Sequence, residues 1–135
     1  MRGVLIKKAQ VIAEDERRKI VSILNGQIGV RDIHILFMKA GETDENGYVK
    51  LPLGNHSHSY KEVCYVLKGK CHYKLKHELT GEELETDLNE GEIMFRDSYV
   101  THTCICTEDA ILIDGAEEMW LDEDWNHYKP KENLM

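Results

Sequence analysis

The sequence is poor in the features that mark several protein classes. Among its 135 residues there are two prolines and no pair of cysteines spaced Cys-x-x-Cys. The missing spacing excludes a zinc ribbon and a thioredoxin-like redox motif. The four cysteines, Cys64, Cys71, Cys104 and Cys106, are expected to be reduced, as in the cytoplasm. No apolar run approaches the length that spans a bilayer. Met1 to Lys8 carries charge and lacks the long apolar stretch of a secretory signal, so the cytoplasm is the expected location. Positive charge is also scarce: 17 basic residues stand against 25 acidic ones, a net charge of −8. Nucleic acids and anionic membranes both require a basic patch, so neither is an expected partner. The acidic cluster Glu117, Glu118, Asp122, Glu123 and Asp124 reads as solvated surface. There is no glycine-rich phosphate loop, Ser-His-Asp arrangement, internal repeat or low-complexity segment.

What the sequence does have is short apolar runs between recurrent glycines. Gly26, Gly29, Gly41, Gly47, Gly54, Gly69, Gly81 and Gly91 punctuate the chain. Between them lie β-prone segments such as Ile33 to Met38, Ile93 to Phe95 and Ala110 to Ile113. In Cys71 to Lys76 the alternation is strict, with Cys71, Tyr73 and Leu75 on one face and His72, Lys74 and Lys76 on the other. Short strands with regular turn signals predict an all-β sandwich or barrel. The charged stretch Glu14 to Lys19 reads as a turn leading into a strand over Lys19 to Leu24. The tail holds Trp120 and Trp125 and is expected to form a short helix or an irregular end.

One constellation carries chemistry. His56 and His58 stand at i and i+2, which on a strand point to one face and bring two imidazoles to one ion. Ser59 to Lys61 reads as a turn, after which Glu62 opens a strand that returns beside the imidazoles and ends at Gly69.

His-x-His, three residues, Glu, six residues and Gly resembles the first signature motif of the cupin superfamily, and His56, His58, Glu62 and Gly69 match it without a gap. In the second motif Gly91 is followed by five residues, and His102 stands where the family places its metal-binding histidine. The departures are Lys50, Asp97, Tyr99 and Cys106, which replace the family's Gly, Pro, Gly and Asn at turn and packing positions. The resemblance implies a single-domain cupin, a double-stranded β-helix or jelly-roll barrel. Its barrel core would cover about residues 31–115, with N-terminal strands over 1–30 and a tail over 116–135. It also implies one divalent metal ion held by His56, His58, Glu62 and His102. Three imidazoles and a carboxylate leave coordination positions open and suit Fe, Mn, Ni, Co or Zn.

If His102 points inward, so do Cys104 and Cys106; Cys64 follows Glu62, and Cys71 and Tyr73 share the apolar face of their strand. Tyr73 and Cys104 are therefore the candidate catalytic groups, as proton donor and thiol. The ordinary reading of both is core. Arg31, Lys39, Tyr48 and Arg96 are candidate binders of an anionic or sugar-like substrate, with surface charge as their ordinary reading. His34, His72, His77 and His127 read as solvent-facing.

Cupins host many reactions, so fold and metal do not settle activity. The segment Asp15 to Asn25 leading into Arg31 to Ala40 resembles the entry strands of cupins in nucleotide-sugar modification. The leading expectation is a small metal-dependent isomerase or epimerase of a sugar-derived carbonyl compound. The alternatives are a metal-dependent dioxygenase and a non-catalytic small-ligand or sensor module. The loop Gly41 to Gly47 is placed to cover the barrel mouth, and the resemblance implies a homodimer.

Overall fold

A computed structural model describes residues 1–41, 45 and 53–118, with residues 53–56 described by backbone alone. Tyr48, most of the Gly41–Gly47 loop, and Trp120, Trp125 and His127 of the tail lie outside the described residues, so the structure does not bear on their expected roles.

The described residues are all-β. Strands β1 (Val4–Lys8), β9 (Glu92–Arg96), β6 (Glu62–Lys68), β11 (Ala110–Ala116) and β4 (Asp32–Met38) form one sheet in that order. Strands β5 (Leu53–His56), β10 (Val100–Cys106), β7 (Lys70–His77) and β8 (Glu83–Asn89) form a second sheet in that order. The pairings are antiparallel, and neighbours in space are often distant in sequence. The two antiparallel sheets make the jelly roll that the resemblance implies. A separate hairpin of β2 (Gln10–Glu14) and β3 (Lys19–Ser22) encloses the charged turn at Asp15 to Arg18, as expected.

Alternation decides which side chains enter the barrel. In β7, Cys71, Tyr73 and Leu75 are buried while their neighbours are partly exposed. They meet Cys64, Val66, Leu88, Met94 and Leu112 in one apolar cluster. Each fully buried aliphatic side chain of this size contributes about 1.5–3 kcal/mol. The antiparallel register sorts the inward residues of the larger sheet into rows. Val66 and Leu112 form an apolar row, Met94, Cys64, Asp114 and His34 a mixed row, and Arg96, Glu62, Ala116 and Asp32 a polar one. One end of the barrel is thus greasy and the other is built for chemistry.

Two turns show what the motif glycines do. Gly69 has φ +90°, and a Cβ there would come within 2.6 Å of the Asp109 carbonyl oxygen, so only glycine fits. Tyr99, where the family has glycine, nevertheless keeps a left-handed backbone at φ 63°.

The expectation of four reduced cysteines is corrected for two of them. Cys71 and Cys106 stand directly opposite across β7 and β10 and are joined as a disulfide, while Cys64 and Cys104 are buried free thiols.

Candidate functional site

The polar end of the barrel is assembled from β5, β6, β9, β10 and β11. His56 closes β5 and stands directly opposite His102 of β10. His58 lies two residues past the end of β5, which corrects the placement of both histidines within one strand. Its position is fixed by the turn between β9 and β10. The Tyr99 amide donates to the His58 carbonyl at 2.7 Å, and the Ser98 hydroxyl donates to the Ser59 carbonyl at 3.1 Å. The His58 ring is 2% exposed and stacks on Tyr60 with centroids 4.7 Å apart.

Glu62 opens β6, as expected, and its Oε1 lies 3.8 Å from His58 Nε2. The rings of His58 and His102 are 6.3 Å apart between centroids. Nδ1 of His102 lies 3.5 Å from the Val100 carbonyl oxygen. His58, Glu62 and His102 are therefore gathered at one end of the barrel. Among the described residues, no three His, Cys, Asp or Glu side chains converge closely enough to hold a metal ion. The side chain of His56 lies outside the described residues.

The residue that sequence reasoning placed wrongly is Arg96. It is 2% exposed and not on the surface. β9 sets it directly opposite Glu62, and its Nη2 lies 3.6 Å from Glu62 Oε2. The parity signal was available, since Met94 and Arg96 alternate with Ile93 and Phe95. A charge at an inward position is expected only where a partner waits, and Glu62 is that partner. Burial raises the Glu62 pKa, and Arg96 opposes the shift. Burial works against the Arg96 charge, but Glu62, Tyr73, Asp114 and Cys64 together outweigh it and raise its pKa. The pair lines a cavity of about 280 Å³ with Gly3, Gln27, Lys61 and Asp97. Arg31 and Lys39 are exposed and ion-paired with Glu118 and Asp109, as surface charges are.

Tyr73 and Cys104 face each other across β7 and β10 and are both buried. The Tyr73 hydroxyl lies 3.4 Å from Cys64 Sγ. Burial pushes the Tyr73 hydroxyl and the Cys64 thiol well above their ordinary ranges, and pushes the Cys104 thiol to about 11. All three therefore stay protonated near neutral pH and can donate hydrogen bonds. Asp114, which sequence reasoning passed over, stands directly opposite Cys64 on β11. Burial raises the Asp114 pKa, and Arg96 opposes this. Its only sequence signal was a lone acid inside the apolar run of β11.

Two of the expected solvent-facing histidines are held by carboxylates. His72 Nδ1 lies 2.8 Å from Asp87 and Nε2 lies 2.7 Å from Glu85, both on β8. His34 Nε2 lies 3.0 Å from Asp32 on the same strand.

No protein-family model matches the chain, and no curated protein sequence does. Solved structures do. The 3,4-ketoisomerase QdtA from Thermoanaerobacterium thermosaccharolyticum is 20% identical, with a TM-score of 0.69 over 92% of this chain and 86% of that one. That structure is a histidine-to-asparagine variant in complex with TDP-4-keto-6-deoxyglucose. The TDP-quinovose 3,4-ketoisomerase WlaRB from Campylobacter jejuni is 17% identical, with a TM-score of 0.73 over 96% of this chain and 93% of that one. A dTDP-4-dehydrorhamnose 3,5-epimerase from Sulfolobus tokodaii is 15% identical, with a TM-score of 0.73 over 92% and 76% of the two chains. At these identities the likeness is one of fold.

Proposed function

We propose that this protein is an isomerase or epimerase of a nucleotide-linked keto-sugar, and that His58 moves the proton. The observation that carries the reading is the buried His58 ring, anchored through its backbone by the β9–β10 turn and faced by Glu62 at 3.8 Å. An imidazole is the usual group for taking and returning a proton near neutral pH. Isomerisation beside a carbonyl needs little else. The C–H bond next to the carbonyl breaks and its proton goes to His58. The carbonyl oxygen takes up a proton as the enediol forms. The enediol then takes a proton at the former carbonyl carbon, while the hydroxyl proton leaves the neighbouring oxygen, so two protons leave and two return. Nothing is oxidised or reduced overall, so the step consumes no oxidant. Tyr73, Cys64 and Cys104 stay protonated and are placed to donate to an oxygen that gains charge. Two ketoisomerases and an epimerase share the fold, and the QdtA structure with a keto-sugar nucleotide has a histidine replaced, which supports the assignment.

The test is exchange in deuterated water. Incubation with TDP-4-keto-6-deoxyglucose is expected to place deuterium on a carbon next to the carbonyl. His58→Asn is expected to slow this by about 10²–10⁴-fold. Undiminished exchange in the variant would overturn the role of His58, and no exchange in the wild type would overturn the reaction class.

A metal-dependent form of this function is a second reading, favoured by the register that sets His56 opposite His102. His56, His58, Glu62 and His102 would hold the ion, which when bound would polarise a substrate oxygen. The fit is partial, because the permanent charge of Arg96 already stands 3.6 Å from Glu62. A second cation on the same carboxylate would be repelled. Metal content is to be measured on protein purified without chelator, for wild type and His58→Ala. Equal metal in both would end this reading and the dioxygenase reading with it.

We also propose that the working form is a homodimer that packs the outer face of β4. Ile33, Ile35 and Phe37 alternate along this edge strand at 60%, 59% and 78% exposure. Such a row continues the sheet's apolar outer face at Ile111 and Ile113, and a two-fold contact requires only that it match itself.

A further inference from the structure

Among the described residues, Arg96 carries a buried donor and Asp114 a buried acceptor that no described residue matches. Arg96 directs Nη2 to Glu62 and Nη1 to the Met94 sulfur, each at 3.6 Å, and its buried Nε has no hydrogen-bond partner among the described residues. Asp114 stands opposite the Cys64 thiol, and its buried Oδ1 has no hydrogen-bond partner among the described residues. The two residues flank β6, Arg96 opposite Glu62 and Asp114 opposite Cys64, on the inward face of one sheet. Buried polar atoms are almost always paired, and an unpaired one costs about 1–3 kcal/mol. Arg96 is locked in place by its ion pair and by burial, so its Nε cannot simply turn to water. The apolar cluster beside them holds Val66 and Leu112, which offer neither a donor nor an acceptor, and Met94, whose sulfur is already taken by Nη1.

The chemistry of the missing group follows from what each atom needs. A phosphate or carboxylate accepts from Nε but cannot donate to Oδ1, and it would face the Asp114 and Glu62 carboxylates. An ammonium donates to Oδ1 but cannot accept from Nε, and it would face the Arg96 charge. A hydroxyl both donates and accepts. We infer that Arg96 and Asp114 form a specificity subsite that takes one hydroxyl, or two neighbouring hydroxyls, of the bound ligand. This deepens the keto-sugar reading and rests on it: the subsite receives the sugar, and the anionic nucleotide lies elsewhere.

The test separates sugar from nucleotide. Binding of TDP and of TDP-4-keto-6-deoxyglucose is to be measured by calorimetry for wild type and Asp114→Leu, a change that removes the acceptor at similar volume. The variant is expected to bind the sugar nucleotide about 10–100-fold more weakly, the range for a hydrogen bond to a charged group, with TDP affinity unchanged within about twofold. Unchanged affinity for both ligands would overturn the subsite and leave the reading standing, with ordered water filling the two positions. Equal loss for both would make Asp114 structural and overturn it too. Failure of the wild type to bind either ligand would overturn the reading itself, and the subsite with it. A second arm uses only the unaltered chain, with sugar nucleotides lacking one hydroxyl at a time. At least one is expected to bind about 10-fold or more weakly; if all bind like the parent, the subsite is refuted even should Asp114→Leu not fold.

Discussion

Arg96 and Glu62 face each other across β9 and β6, with Nη2 and Oε2 3.6 Å apart and side chains only 2% and 15% exposed. An ion pair so enclosed does not stabilise much relative to a well-packed apolar pair, but either half left alone is expensive. Arg96→Met is therefore expected to cost about 3–5 kcal/mol in urea unfolding near neutral pH. Adding Glu62→Gln should restore most of it, and a double variant no better than the single one would refute the coupling. The sign with pH follows. Burial alone then acts on Glu62 and pushes its folded pKa further up. The Arg96→Met deficit should be small where Glu62 is protonated in both folded proteins, and grow as pH rises through the folded wild-type value, which burial holds above the ordinary carboxylate range.

The same pair shows where the sequence was readable and where it was not. The spacing of His56, His58, Glu62 and Gly69 is local, and local spacing reports strand parity. It led to the all-β jelly roll, and the structure brings His58, Glu62 and His102 to one end of it. Arg96 and Asp114 join that end only through pairings between strands far apart in sequence, β9 with β6 and β6 with β11. No window along the chain contains that register. The Cys71–Cys106 bond was hidden for the same reason, being a product of β7 lying on β10. Placing His58 in a strand failed more locally, because β5 ends at His56 and the β9–β10 turn takes over as the anchor.

The cysteines give a chemical count. In denaturant without reductant, two thiols should react, those of Cys64 and Cys104. With reductant, all four should. The bond closes a loop with a sequence separation of 35. Loop entropy for such a length corresponds to about 3–4 kcal/mol of stability lost on reduction, read as a lower urea midpoint. Four reactive thiols before any reductant is added would show that the chain carries no disulfide.

A pH-dependent contribution should come from the outer face of the smaller sheet. The hydrogen bonds from Asp87 and Glu85 raise the His72 pKa, and the hydrogen bond to His72 lowers those of both carboxylates. A raised histidine contributes fully below its unfolded value of about 6.5, and the contribution is lost as pH rises through the folded value. The lowered carboxylates contribute above their unfolded values of about 4, and lose the contribution as pH falls through the folded ones. The two conditions overlap between about pH 4.5 and 6.5. The stability gap between wild type and His72→Gln should therefore be widest in that window and narrow on either side. A gap that is flat from pH 4 to pH 8 would show that the cluster is not linked to folding.

The outer face of β4 sets the last expectation. Val63 and Ile93 also point outward from this sheet, yet they are only 1% exposed. Near Val63 the cover comes from the chain itself: a Cβ on Gly115 would meet Val30 at 2.9 Å and Val63 at 3.0 Å. Ile33, Ile35 and Phe37 have no such cover within the described residues. Leaving three large apolar side chains in water along an edge strand invites pairing, and a second copy is the cover proposed above. Phe37→Glu would place a like charge against itself across a two-fold axis while leaving the buried face of β4 untouched. It is expected to convert a dimer to a monomer in sedimentation equilibrium, with little change in the urea midpoint of the monomer. A wild-type chain that is already monomeric at tens of micromolar, or a variant that stays dimeric, would remove this face as the interface.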